Sequence, residues 1–134
     1  MAEANDGWRW PHFSPAEMQC RHCRQSAMNG AFMDRLQALR LVFGTPMVIS
    51  SGYRCAIHNA AIGAGPHSAH VQGRAVDVSI YGKQALVLID YARDCGFTGI
   101  GVQQKFNLPL NRRFIHVDDM PDGPGRPRPH LWSY

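Results

Sequence analysis

Apolar residues recur along this chain with two different periods, and the switches between them delimit its elements. From Asn29 to Phe43, Phe32, Leu36, Leu39 and Phe43 fall three or four residues apart, with Met33 and Leu41 beside them. That spacing predicts an amphipathic helix. Gly44 stops it and Pro46 forbids its resumption. Met47–Ser51 is a short apolar run that predicts a buried strand, closed by Gly52. Ala75 to Ile80 alternates strictly, with Val76, Val78 and Ile80 on one face and Ala75, Asp77 and Ser79 on the other. Lys83 to Cys95 returns to helical spacing, with Leu86, Ile89 and Tyr91 among the expected buried positions and Gly96 as cap. Gly99–Val102 predicts a short strand. Arg112–Asp118 predicts the last one, with Ile115 and Val117 toward the core and Phe114, His116 and Asp118 opposite.

The remaining segments read as connections. Residues 1–14 form an irregular leader that Trp8, Trp10 and Phe13 pack onto the body. Ser14-Pro15-Ala16-Glu17 has an N-cap serine, a proline at the first helical position and a glutamate at the third, the signature of a short helix. Residues 52–74 are expected to be mostly loop, with one helical turn near His58–Ala61. Residues 119–134 are expected to be an irregular tail: coil from Pro121 to Pro129, ended by an aromatic anchor at Leu131, Trp132 and Tyr134. Only Gln103–Asn111 separates the last two strands, which favours antiparallel pairing. The expected fold is therefore α+β, a small antiparallel central sheet packed with helices in a single domain over residues 1–134.

Composition agrees with a folded domain. The chain has 134 residues, 45% of them hydrophobic and 18% charged, enough for one core. No apolar run approaches the roughly 20 residues that span a bilayer, so membrane insertion is not expected. The first eight residues are partly acidic and lack an apolar stretch, which predicts no Sec-type signal. The net charge of +4 reads by default as a mildly basic protein, and alternatively as attraction to a polyanion such as nucleic acid or bacterial cell wall. The arginines are scattered, however, which argues against nucleic acid. Of four cysteines, Cys20 and Cys23 form a CxxC pair. Without a signal, reduced thiols or a metal knuckle are favoured over a disulfide. A knuckle needs Cys55, His22 or His58 to complete it. No thioredoxin-like βαβ pattern surrounds the pair, so a redox role is weak.

The strand alternation carries the chemistry. Asp77 and His116 each lie opposite their strand's apolar residues, so both emerge on one open sheet face if the apolar faces share a helical layer. His70 lies in the loop just before, and Gly73 lets that loop fold back. Two imidazoles and one carboxylate make a three-ligand set that leaves zinc a fourth position for water.

Ser68-x-His70-x-x-Gly73-x-Ala75-x-Asp77 resembles the motif of the M15 family of zinc D-Ala-D-Ala carboxypeptidases and peptidoglycan endopeptidases, which share a fold with the hedgehog signalling domain. Ser50–Arg54, Asn59 with Gly63, Gly96–Gly101 and Phe114–Asp118 resemble its flanking segments, so the resemblance covers about Phe13 to Trp132. It is nearest to the small phage and bacterial branch, whose members also open with an FSxxE segment and paired cysteines.

The resemblance implies His70, Asp77 and His116 as zinc ligands and Arg54 as a substrate-binding arginine. Arg54 also has a purely structural reading as an ion-pair partner. Ser68 binds substrate or shapes its loop. Several branches of the family carry an acidic base three residues before the last ligand, and here that position is Arg113. Asp118, on the same strand face as His116, is then either the proton acceptor or a group that orients His116. Asp119 and His67 are weaker candidates. Arg74 and Arg113 are further candidates for binding an anionic substrate group.

The implied activity is zinc-dependent hydrolysis of peptide bonds in peptidoglycan stem peptides by a monomer, reached after phage-type release or as part of a virion. The alternative is a weakly active or inactive zinc-containing module that binds cell wall or builds a phage particle.

Overall fold

The computed structural model describes residues 7–65 and 68–134. Part of the expected leader and the candidate base His67 lie outside the described residues. Among the described residues ten elements follow one another: helix α1 (Pro15–Met18), helix α2 (Gly30–Phe43), strand β1 (Val48–Ser51), helix α3 (Ala56–Ala61), strand β2 (Ala75–Ser79), helix α4 (Gly82–Asp94), strand β3 (Gly99–Gln103), a 3-10 turn (Leu110–Arg112), strand β4 (Phe114–Asp118) and strand β5 (His130–Ser133).

Local sequence explains most boundaries. Ser14 and Glu17 form a reciprocal capping box around Pro15. Asn29 caps α2 through its side chain, and Gly44 ends it in the left-handed conformation. The expected faces of β2 and β4 are the observed ones. Val76, Val78, Ile115 and Val117 are fully buried, in one core with Phe32, Leu36 and Leu39 of α2.

Three expectations need correction. The sheet is mixed rather than antiparallel. Its order is β1-β2-β4-β3-β5, and β5 runs parallel to β3 while the other neighbours are antiparallel. The tail is thus not irregular to its end, because residues 130–133 add an edge strand. In α4 the buried stripe is Ala85, Leu88 and Ala92, whereas Leu86 is 67% exposed and Tyr91 also faces solvent. Small alanines let α4 approach α2 and β4 closely, and the bulkier residues one position away are turned outward.

The inner sheet face packs on the helices. The outer face carries Asp77 on β2, His116 and Asp118 on β4, Gly99 and Gly101 on β3, and Trp132 on β5. Asp77 lies directly opposite His116, and Gly101 lies opposite both His116 and Trp132.

Candidate active site

Strand register alone brings Asp77 and His116 together, since directly opposed residues on one face have Cβ atoms about 5 Å apart. His70 arrives from the preceding loop. Gly73 turns that loop at φ 68° and packs against the Ala27 carbonyl where a side chain would collide. The Arg54 N–H donates to the His70 carbonyl at 3.2 Å.

The three side chains meet at one carboxylate oxygen. Asp77 Oδ1 is 3.3 Å from His70 Nε2 and 3.1 Å from His116 Nδ1. One donor atom from each residue lies within 4.8 Å of the others, and all three residues are buried. A tetrahedral zinc with bonds of about 2.05 Å has edges of about 3.3 Å between its ligand atoms, which matches these spacings.

Tautomers fit as well. His70 Nδ1–H donates to the Gly52 carbonyl at 2.8 Å, which leaves the Nε2 lone pair facing Asp77. His116 Nε2–H donates to Asp118 Oδ2 at 2.7 Å, which leaves Nδ1 free. Three lone-pair donors therefore converge on one point, where a cation relieves their repulsion. Without metal, protons serve that purpose. Burial pushes the Asp77 carboxyl up, but His70 and His116 outweigh it and hold the group well below the usual carboxylate range. Burial pulls the His116 imidazole down, and Asp118 and Asp77 more than offset that, so it is raised.

Asp118 is not placed to accept a proton from a water in the cleft. It is fully buried and receives four donors. Arg128 Nε and the Met120 N–H reach Oδ1 at 2.9 and 3.2 Å, and Arg128 Nη2 and His116 Nε2 reach Oδ2 at 2.8 and 2.7 Å. A carboxylate has about four lone-pair sites, and all are taken. Burial raises its pKa, but His116 and Arg128 prevail and lower it to about 2. Of the two roles the sequence leaves open, the geometry supports orientation of His116.

The other candidates separate. Arg54 lies at the site, with Nη2 3.9 Å from Asp77 Oδ2 and with hydrogen bonds to Asn59 and Ser51. Ser68 lines the same cleft. Arg74 is turned away, bound to the Asp119 carboxylate and carbonyl at 2.8 Å each. That pair also occupies Asp119. Arg113 donates to the Phe106 and Leu108 carbonyls and holds their loop. An arginine three residues before His116 points off the face that carries the ligand, so neither Arg74 nor Arg113 lines the cleft.

The model of the family described as Peptidase M15 matches residues 11–118, four-fifths of the chain and all three converging side chains. This chain belongs to the peptidase M15 family. M15 peptidases are metal-dependent, and His70, Asp77 and His116 of this M15 peptidase form a group that could bind a metal ion. No curated protein matches the chain.

The part of this M15 peptidase beyond the matched residues builds the other wall of the cleft, which encloses about 800 Å³. Trp132 lies against His116, with ring centroids 5.0 Å apart. It reaches across Gly101, where a Cβ would come within 2.7 Å of the indole. Arg128 covers the Trp132 ring at 5.2 Å, a cation–π contact. His130 stacks on Trp132 with ring centroids 5.6 Å apart, and Tyr134 packs on Phe114. Burial and the Asp77 charge push the Tyr134 phenol up to about 12. Sequence reasoning missed the roles of Arg128, His130, Trp132 and Tyr134. The signal present was the alternation of His130, Trp132 and Tyr134 with Leu131 and Ser133, which is strand periodicity.

Among the described residues, no helix is long and apolar enough to cross a membrane.

Proposed function

We propose that this M15 peptidase is a zinc enzyme that hydrolyses peptide bonds in the stem peptides of bacterial peptidoglycan. The observation that carries the reading is the convergence of His70, Asp77 and His116 at the floor of a cleft walled by arginines and aromatic rings. Zinc bound by these three residues supplies Lewis acidity toward the scissile carbonyl and toward water. Arg54 and Arg126 give the cleft a cationic lining, and stem peptides are rich in carboxylates. Arg54 is held by Asn59 and Ser51 beside Asp77, placed to pair with a substrate carboxylate or carbonyl. Ser68 contributes a hydroxyl on the loop side.

The Tyr134 hydroxyl lines the cleft and donates to the oxygen on which negative charge develops. His130 is the exposed imidazole of the cleft wall and the residue we assign to proton transfer. Asp118 and Arg128 act through His116, fixing its tautomer and ring orientation. The domain acts as a monomer, and reaching its substrate requires export, phage-type release or a place in a virion.

A second reading has its own observation. Asp118 and Asp119 are both fully engaged by arginines, and Arg113 occupies the position where several branches carry an acid. A metal-holding module that binds wall peptides or builds a phage particle without cutting would tolerate that arrangement. Digestion of purified peptidoglycan, with and without chelator, separates the two. Hydrolysis predicts chelator-sensitive release of new amines and carboxylates, and product masses identify the bond cut. Sacculus binding with no such release assigns the domain to the second reading.

A further inference from the structure

Three cysteines far apart in sequence converge away from the His70–Asp77–His116 site. The Sγ atoms of Cys20, Cys23 and Cys55 lie within 4.8 Å of one another, and all three are free thiols. Backbone N–H groups are aimed at the sulfurs. Those of His22 and Cys55 donate to Cys20 Sγ at 3.4 Å each, and that of His58 donates to Cys55 Sγ at 3.4 Å. Such donors favour sulfur carrying negative charge. Arg24, directly after Cys23, takes the left-handed conformation at φ 61°, uncommon for a residue with a Cβ. That conformation folds the chain back so that the Gln25 carbonyl accepts from the Cys20 N–H at 2.7 Å. The turn is thus shaped around the sulfurs rather than around an apolar core.

A fourth donor lies beside one of the sulfurs; it is not within 4.8 Å of all three, so its ring must turn inward to complete a tetrahedron. His22 Nδ1 lies 3.5 Å from Cys55 Sγ, and the His22 ring stacks parallel to His58, with 4° between planes. A tetrahedral zinc with Zn–S of about 2.3 Å and Zn–N of about 2.05 Å has a sulfur–nitrogen edge of about 3.5 Å. A disulfide would engage two of the three sulfurs and leave the third and the imidazole without a role. A Cys3His centre engages all four.

We propose that Cys20, Cys23, Cys55 and His22 bind a second, structural zinc ion. All four positions are protein ligands, so this centre is closed, in contrast to the open set at His70, Asp77 and His116. Binding releases the thiol protons to solvent and changes no oxidation state. The ion ties the Cys20–Cys23 turn to the residue that follows Arg54. The Met18 carbonyl already accepts from the Tyr53 N–H at 2.9 Å in the same place. The Gly52–Arg54 turn receives the His70 Nδ1–H and presents Arg54. The second zinc therefore braces the turn from which the cleft is built.

Metal content of the whole chain, purified with zinc under reducing conditions, tests this without reference to activity. The unaltered protein should carry about two zinc ions per chain. His70→Ala/His116→Ala should keep about one. Cobalt substituted into that variant should show sulfur-to-cobalt charge-transfer absorption and the strong visible bands of a tetrahedral site. Cys20→Ser/Cys23→Ser should lose those bands. If the cysteine variant fails to fold, the histidine variant alone decides the question. His22→Cys should keep the ion, and His22→Ala should weaken it by more than the roughly 10–100-fold that loss of an outer-shell partner costs. A histidine variant that holds no metal, cobalt spectra without a sulfur band, or an intact mass showing a disulfide among the three cysteines would overturn the proposal. Unchanged affinity in His22→Ala would overturn the assignment of the fourth ligand.

Discussion

Arg128 grips Asp118 through both carboxylate oxygens, Nε to Oδ1 at 2.9 Å and Nη2 to Oδ2 at 2.8 Å. Asp118 in turn accepts from His116 Nε2, so a residue of the tail sets the ring that faces Asp77. The fork geometry is specific to a guanidinium. Arg128→Ala should weaken metal binding at the candidate active site about 10–100-fold, and Arg128→Lys should recover little of it. Competition titration against a chelator of known affinity measures both. At saturating zinc much of the turnover should return, since Arg128 acts through position rather than chemistry. Unchanged affinity in both variants would dissociate the pair from the metal site.

The same pair sets an acid limit on stability. Asp118 is depressed to about 2 in the fold, below its ordinary value of about 3.9. A depressed carboxylate stabilises the fold above its unfolded value, and that contribution is lost as pH falls from about 4 toward about 2. Asp118→Asn places an amide donor among four donors and should cost about 3–5 kcal/mol near neutral pH, the usual result of breaking a buried pair. Its stability should then vary less between pH 4 and 2 than that of the unaltered chain. Urea unfolding of the metal-free proteins across that range shows whether the two curves converge on the acid side.

Gly101 leaves the gap across which Trp132 meets His116. Gly101→Ala should push the indole away, because the added Cβ would sit 2.7 Å from its ring atoms. Activity should fall while the fold survives, since β3 keeps its ladder. The expected signature is altered tryptophan fluorescence together with a raised KM. An unchanged KM would remove the Trp132 wall from substrate binding.

Tyr134 should ionise well above an ordinary phenol in the metal-free protein, near 12. A raised phenol contributes stability below its unfolded value of about 10, and that contribution is lost as pH rises through the folded value. Zinc beside Asp77 should draw the phenol back down, because a nearby cation favours phenolate. Phenolate absorbance in the unaltered chain and in Tyr134→Phe, with and without zinc, checks both the assignment and the direction.

The faces of β2 and β4 were legible because alternation is a local property. Val76 and Val78 against Asp77, and Ile115 and Val117 against His116, follow from the strand period and from burial of the apolar side. The α4 stripe was harder. Alanine contributes little to an apolar pattern, yet Ala85 and Ala92 are the residues small enough to let that helix approach its neighbours, and Leu86 is left in solvent. Arg74, Arg113 and Asp118 are charged side chains near the ligands in sequence. Their partners, Asp119, the Phe106 and Leu108 carbonyls, and Arg128, are fixed only by how the loops return, and those partners decide which side chain faces the cleft.

By itself the sequence determined the α+β class, the helix caps and the three side chains that converge, since caps and strand periods are set within a few residues, the M15 motif carries His70 and Asp77 on one loop and strand, and alternation marks His116 on another. Only the tertiary structure decided that β5 joins β3 in parallel, that Trp132 and Arg128 close over His116, and that Cys55 meets Cys20 and Cys23. These contacts depend on register and on where distant segments come back. Backbone pairing and close packing of the whole chain impose that, and no local pattern of residues encodes it.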